Sequence, residues 1–161
     1  MVLAWTAALV FMAAAGRDIG WRLIDNRLVA APILLWAAFA VLSGWNWGLV
    51  LAHVGVAGLA FCVTLVFYHF GWMAGGDVKL ATAVFIWAGP QNAAAAIVVV
   101  SVAGLAIAII GISARLLLRL SLPVGVTKVL DLFSPDHGVP YGAALAVGGV
   151  VSALAVPAGA G

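Results

Sequence analysis

The sequence predicts an all-α polytopic membrane protein with six transmembrane helices and both termini outside (periplasmic). Three observations carry that expectation. The 161 residues are 66% hydrophobic and 7% charged, with a mean hydropathy of +1.26, whereas a soluble globular domain is about 25% charged. A chain this short has too much surface to hide so much apolar area from water, so lipid is the solvent for most of it. The apolar runs approach the roughly 17–25 residues that a helical span needs. Finally, a six-helix map places every Lys, Arg and Asp on one side of the bilayer. The whole chain, 1–161, reads as one membrane-embedded domain.

Taken in order, the first helix is expected over Val2–Arg17. Ala13-Ala14-Ala15-Gly16 resembles a signal-peptidase site, but Arg17, Arg22 and Arg27 follow the apolar run instead of preceding it, the pattern of a retained helix with its N-terminus outside. The second helix is expected over Leu28–Leu42 and the third over Gly48–Phe70. The fourth begins near Asp77 and ends at Trp87–Ala88, before the turn signal Gly89-Pro90-Gln91-Asn92. It is short for a span, so it begins earlier or stops part-way, shielded by protein. The fifth covers Ala93–Leu118 and the sixth Tyr141–Val156. Between Leu120 and Gly138, apolar Val126, Val129, Leu130 and Phe133 alternate with polar residues, which fits an interfacial helix or an irregular loop.

The charges test this map. Arg17, Asp18, Arg22, Asp25 and Arg27 fall in the first connection, Asp77 and Lys79 in the third, and Arg115, Arg119, Lys128, Asp131 and Asp136 in the fifth; the second and fourth have none. By the positive-inside rule the charged side is cytoplasmic. Trp45 and Trp47 then belong to the outer interface and Trp21 and Trp72 to the inner one. The net charge of +2 makes no continuous basic patch, so nucleic acid is not an expected partner. Cys62, the one cysteine, allows no internal disulfide and no CxxC metal knuckle.

There is no glutamate, and two of the five acidic residues stand where a helix meets the bilayer: Asp18 closes the first helix and Asp77 opens the fourth, after Gly75-Gly76. Such charges cost at least about 2.5–3.5 kcal/mol to insert and point to function. Two converging carboxylates share a proton; the ionised member activates a water and the protonated member polarises a scissile carbonyl, so hydrolysis needs neither metal nor cofactor. Gly75 and Gly76 would let another backbone approach.

At these residues the chain resembles the type IV prepilin peptidases. Gly75-Gly76-Asp77-Val78-Lys79-Leu80 is similar to their GxGD motif, and the stretch from Asp18 through Ile24-Asp25-Asn26-Arg27-Leu28 to their first aspartate motif. Pro140-Tyr141-Gly142 resembles their Pro-Tyr-Gly helix start. Asp25 stands where the family usually has proline, and Ala74 where the first motif glycine would be. The resemblance implies an intramembrane aspartyl endopeptidase with Asp18 and Asp77 catalytic. Its partners would be a prepilin (leader and transmembrane helix), the lipid bilayer and pilus-assembly machinery. The length and the lack of a CxxC domain resemble the short branch serving Flp-type (tight-adherence) pili, which cleaves without methylating. The location implied is the bacterial inner membrane, with the site facing the cytoplasm.

The other polar residues have plainer readings. Lys79 is two residues from Asp77 and so leaves its helix face, a snorkelling anchor or a site residue. Asn26 caps or orients the turn after Asp18. Tyr141 and Gly142 are an interfacial tyrosine and a close helix contact, or part of the site. Asp25, Asp131 and Asp136 are solvated partners of nearby basic residues. His53 and His69 lie far apart on one helix, His137 is in a loop, and no cluster has metal-ligand spacing. A non-catalytic pilus scaffold and a proton relay or transporter stay open as alternatives.

Overall fold

Small residues decide how these helices meet. The computed structural model describes residues 1–21, 24–118 and 141–156, and among them the chain is all-helical. The elements are α1 (Val2–Trp21), α2 (Asn26–Leu42), α3 (Trp47–His69), α4 (Gly75–Leu118) and α5 (Tyr141–Ala155). Val2–Trp21, Trp47–His69 and Gly75–Ala114 are long and apolar enough to cross a membrane, while α2 and α5 are shorter apolar helices. The expected interfacial segment, with Arg119, Lys128, Asp131, Asp136 and His137, lies outside the described residues.

Instead of six separate helices, the described residues form five, because the expected fourth and fifth run together as α4 with one break. Only Gly89 leaves helical geometry, at φ 58° and ψ −174°, a region open essentially to glycine alone. Pro90 then starts the second arm, where its missing N–H costs nothing. One residue suffices to reverse the chain. A side chain at Gly148 would meet both Val84 and Val100, which a straight helix would hold about 24 Å apart. The arms 75–88 and 90–118 therefore lie antiparallel, with α5 against both.

Helix starts follow from local chemistry. Asn46 caps α3, its Oδ1 accepting from Leu49 N–H at 2.9 Å, and Asp25 caps α2, accepting from Arg27 N–H at 3.1 Å. Gly44, at φ 68°, turns the chain after α2. α1 packs through Ala4, Ala7, Phe11 and Ala14, a stripe at three- and four-residue spacing. Phe11 rests where a Gly149 side chain would be. Trp87 is fully buried and donates its indole N–H to the Pro32 carbonyl at 2.8 Å. By contrast α3 buries only His53, Ala57 and Thr64 and turns Leu51, Leu59 and Phe61 outward, as a lipid-facing helix would.

The contacts sort the bundle into two ends. Asn26 meets Lys79, Tyr68 lies beside Gly75, and Asp18 meets Ala143 at one. At the other, His53 fills the space over Gly89 and hydrogen-bonds the Ile86 carbonyl through Nδ1 at 2.8 Å. Trp45 belongs to this second end and is half-buried. It is packed against Trp36, Phe39 and His53, with ring centroids 6.2, 5.8 and 4.6 Å away, while Trp47 is exposed as an interfacial indole should be.

Candidate functional site

Two of the described aspartates are buried, Asp18 and Asp77, each 6% exposed. Asp18 does not close α1. The helix continues to Trp21, so Asp18 sits in its last turns on the same stripe as Phe11 and Ala14 and turns inward. Arg17, next to it, is exposed and lies over the Trp21 ring at 5.5 Å.

Asp77 comes from the first turn of α4 but is not its cap. Ala74 holds that place, its carbonyl accepting from Asp77 N–H at 3.0 Å and Val78 N–H at 3.3 Å. The Asp77 carboxylate reaches back to Ala74 N–H at 3.4 Å, half of a capping box. Asp18 and Asp77 are near enough for their charges to act on each other across the gap between α1 and α4.

The motif glycines lie close to other parts of the chain. Neither Gly75 nor Gly76 has a positive φ. A side chain at Gly76 would come into ordinary van der Waals contact with Ile24, at 3.4 Å from its Cβ, and one at Gly75 would lie 3.6 Å from Tyr68. Gly76 thus seats the segment that follows Asp18 against the start of α4. Gly142 is tighter: a Cβ there would stand 2.7 Å from Asp18 Cγ and from Ile24 Cδ1. Beside it Ala143 N–H donates to Asp18 Oδ2 at 2.9 Å.

Lys79 donates to Asn26 Oδ1 at 3.0 Å, tying the segment after Asp18 to the helix of Asp77. It is a cross-link more than a free snorkelling anchor. Asn26 is the first residue of α2 and leaves the capping to Asp25. Tyr141 is 43% exposed and borders an open cavity of about 500 Å³, with Trp72, Met73, Ser101, Gly104 and Ala144. His69 is exposed and stacks edge-on to Phe70. Pro140 lies outside the described residues.

Ile24 lies within the first aspartate motif but has no role assigned to it there, and the Ala143 amide is absent from the candidate residues. Ile24 carried a signal, standing directly before the cap Asp25. A backbone amide carries none, and only the helix start after Pro140 hinted that N–H groups would be available there.

No curated protein and no solved structure matches the chain. The sequence profile of the type IV leader peptidase family matches residues 5–109, which include Asp18 and Asp77 but not Tyr141 or Gly142. With its long apolar helices and a match over more than half its length, the chain is a membrane protein that belongs to the type IV leader peptidase family, a family of peptidases.

Proposed function

We propose that this protein is an aspartyl endopeptidase that removes the leader of type IV prepilins of the Flp type, without methylating the new N-terminus. The observation that carries the reading is that two buried carboxylates, Asp18 and Asp77, stand on different helices at one end of the bundle, near enough for their charges to act on each other. In an apolar surrounding two such groups share one proton. The ionised one takes a proton from water as it attacks, and the protonated one donates to the carbonyl oxygen of the scissile bond. The products are the leader and the shortened pilin, and no cofactor enters the balance.

The reading includes six crossings of the inner membrane, with both termini outside and the dyad at the cytoplasmic face. The antiparallel arms of α4 support it, since they supply the extra pass. So does the charge distribution, which leaves the second and fourth connections bare. The apolar helix of the prepilin would enter beside α1 and α4, with its leader in the cytoplasm. The 500 Å³ cavity by Tyr141 is room for the residues next to the cut. Asn26, Lys79, Gly75, Gly76, Tyr141 and Gly142 would frame the site.

The test is a gel-shift assay in membranes that contain this chain and a Flp-type prepilin. The wild type should shorten the prepilin, and Asp18→Asn and Asp77→Asn should insert but leave it intact. Variants that cut as well as the wild type would rule out the dyad. Failure of the wild type on several prepilins would favour a scaffold.

A further inference from the structure

We propose that the first turn of α5 is a positioning element for Asp18: the Ala143 N–H, admitted by the missing side chain of Gly142, aims that carboxylate and holds it charged. The inference rests on the dyad reading and adds a third element to it.

The bond from Ala143 N–H to Asp18 Oδ2 is 2.9 Å long, buried, and joins residues 125 positions apart. A helix leaves its first N–H groups without partners inside the helix, and its N-terminus carries partial positive charge that favours an anion. Such needs are usually met by a residue just before the helix; here Asp18 arrives from α1. The approach is possible only at glycine, because a Cβ at residue 142 would stand 2.8 Å from Asp18 Oδ2 and 2.7 Å from its Cγ.

Among the described residues Asp77 has no equivalent from another helix. Its bond to Ala74 N–H is 3.4 Å long and lies within its own first turn. The two carboxylates are therefore unequal. Asp18 is held by a short donor at a helix N-terminus, and Asp77 is held loosely. The shared proton is left to Asp77, and Asp18 stays the partner that takes a proton from water. Among the described residues, the charged groups at this end are Asp77 and Lys79 at the start of α4 and Arg115 near the end of its second arm, Arg17 on α1, and Asp25 and Arg27 at the start of α2, with Tyr68, His69 and Tyr141 as further titratable groups at the ends of α3 and α5.

The test compares variants of the full chain in membranes, with prepilin cleavage followed over a range of substrate concentration. Ala143→Pro deletes the donor in the first helical turn, where proline is tolerated. Ala143→Gly keeps the donor at a cost in helix propensity. The proline variant should lose at least about tenfold in kcat with KM within about twofold, the mark of a contact that matters in the transition state. The glycine variant should stay within about twofold of wild-type kcat. If the proline variant does not insert, Gly142→Ala keeps the N–H but pushes a methyl group against Asp18, and the same loss of kcat at unchanged KM is expected. Wild-type kcat in the inserted variant overturns the proposal, and so does an equal loss in Ala143→Gly, which would mark a merely structural helix start. Those results leave the dyad standing if Asp18→Asn and Asp77→Asn are inactive. If those two cut normally, or the wild type cuts no prepilin, the dyad reading fails and the positioning role with it.

Discussion

The two ends of this bundle are held by different means. Around Asp18 and Asp77 the neighbours are small, Gly76, Gly142 and Ala143, and the links are polar and few. Around Gly89 they are large rings, Trp36, Trp45, Trp87 and His53, packed edge to face or tilted. The indole nitrogens of Trp36 and Trp45 are even buried without a hydrogen bond among the described residues. Aromatic packing fixes the geometry there with few polar links, the Trp87 and His53 bonds to backbone carbonyls. A pair of buried carboxylates needs backbone N–H groups brought close, and only glycine and alanine leave room for that. The large packed rings lie at one end and the proposed chemistry at the other.

The largest expected effect tests the chemical end alone. Asp18→Asn and Asp77→Asn should lower cleavage by about 10²–10⁴-fold, the scale of acid–base catalysis, with little change in melting, since an asparagine at 18 can still accept from Ala143. Both quantities are read on the same membranes, by prepilin gel shift and by thermal aggregation. A large drop in melting temperature would show that the carboxylates hold the bundle together as well.

The aromatic end should respond in the opposite sense. Gly89→Ala forces a side chain into a glycine-only conformation and into the His53 ring, at a cost of about 2–4 kcal/mol. Adding His53→Ala should recover part of that loss in a thermal-shift series, because the collision is removed while the backbone strain remains. No recovery would mean that His53 stabilises through its bond to Ile86 more than it crowds Gly89. Trp87→Phe is milder. It deletes the bond to Pro32, for about 0.5–1.5 kcal/mol of stability, and should leave cleavage by the folded fraction unchanged.

The smallest effect is expected where the site segments are laced together at the surface. Lys79→Met removes an exposed bond to Asn26, so stability should fall by less than about 1 kcal/mol. Cleavage should fall a few-fold if the lace aligns the dyad, and Asn26→Ala should reproduce that fall without adding to it in the double variant. Additive losses would separate the two residues.

Much of this was legible in the sequence because it was written in side chains. Asn46 marks the start of α3 and Gly44 the end of α2, and both helix boundaries fall within a few residues of expectation. The inward turn of Asp18 follows from the spacing of Ala7, Phe11 and Ala14, although the helix was expected to end before it. The reversal at Gly89 resembled an ordinary loop, since Gly-Pro-Gln-Asn scores as a turn whether one residue leaves the helix or four do. What could not be read is the part written in the backbone. The Ala143 amide and the close passage at Gly142 depend on how α5 meets α1, and neither pattern nor propensity specifies that meeting.

The break at Gly89 bears on how the protein is made. Residues 75–88 span about 21 Å as a helix, short of the roughly 30 Å hydrocarbon core, and they begin with Asp77 and Lys79. Such a segment partitions poorly by itself. Joined through one glycine to the long apolar arm 90–118, it can be drawn in as half of a helical hairpin during synthesis, its charged end left at the starting side. In the proposed topology the more apolar arm then supplies the insertion energy that brings the Asp77 carboxylate to the edge of the lipid.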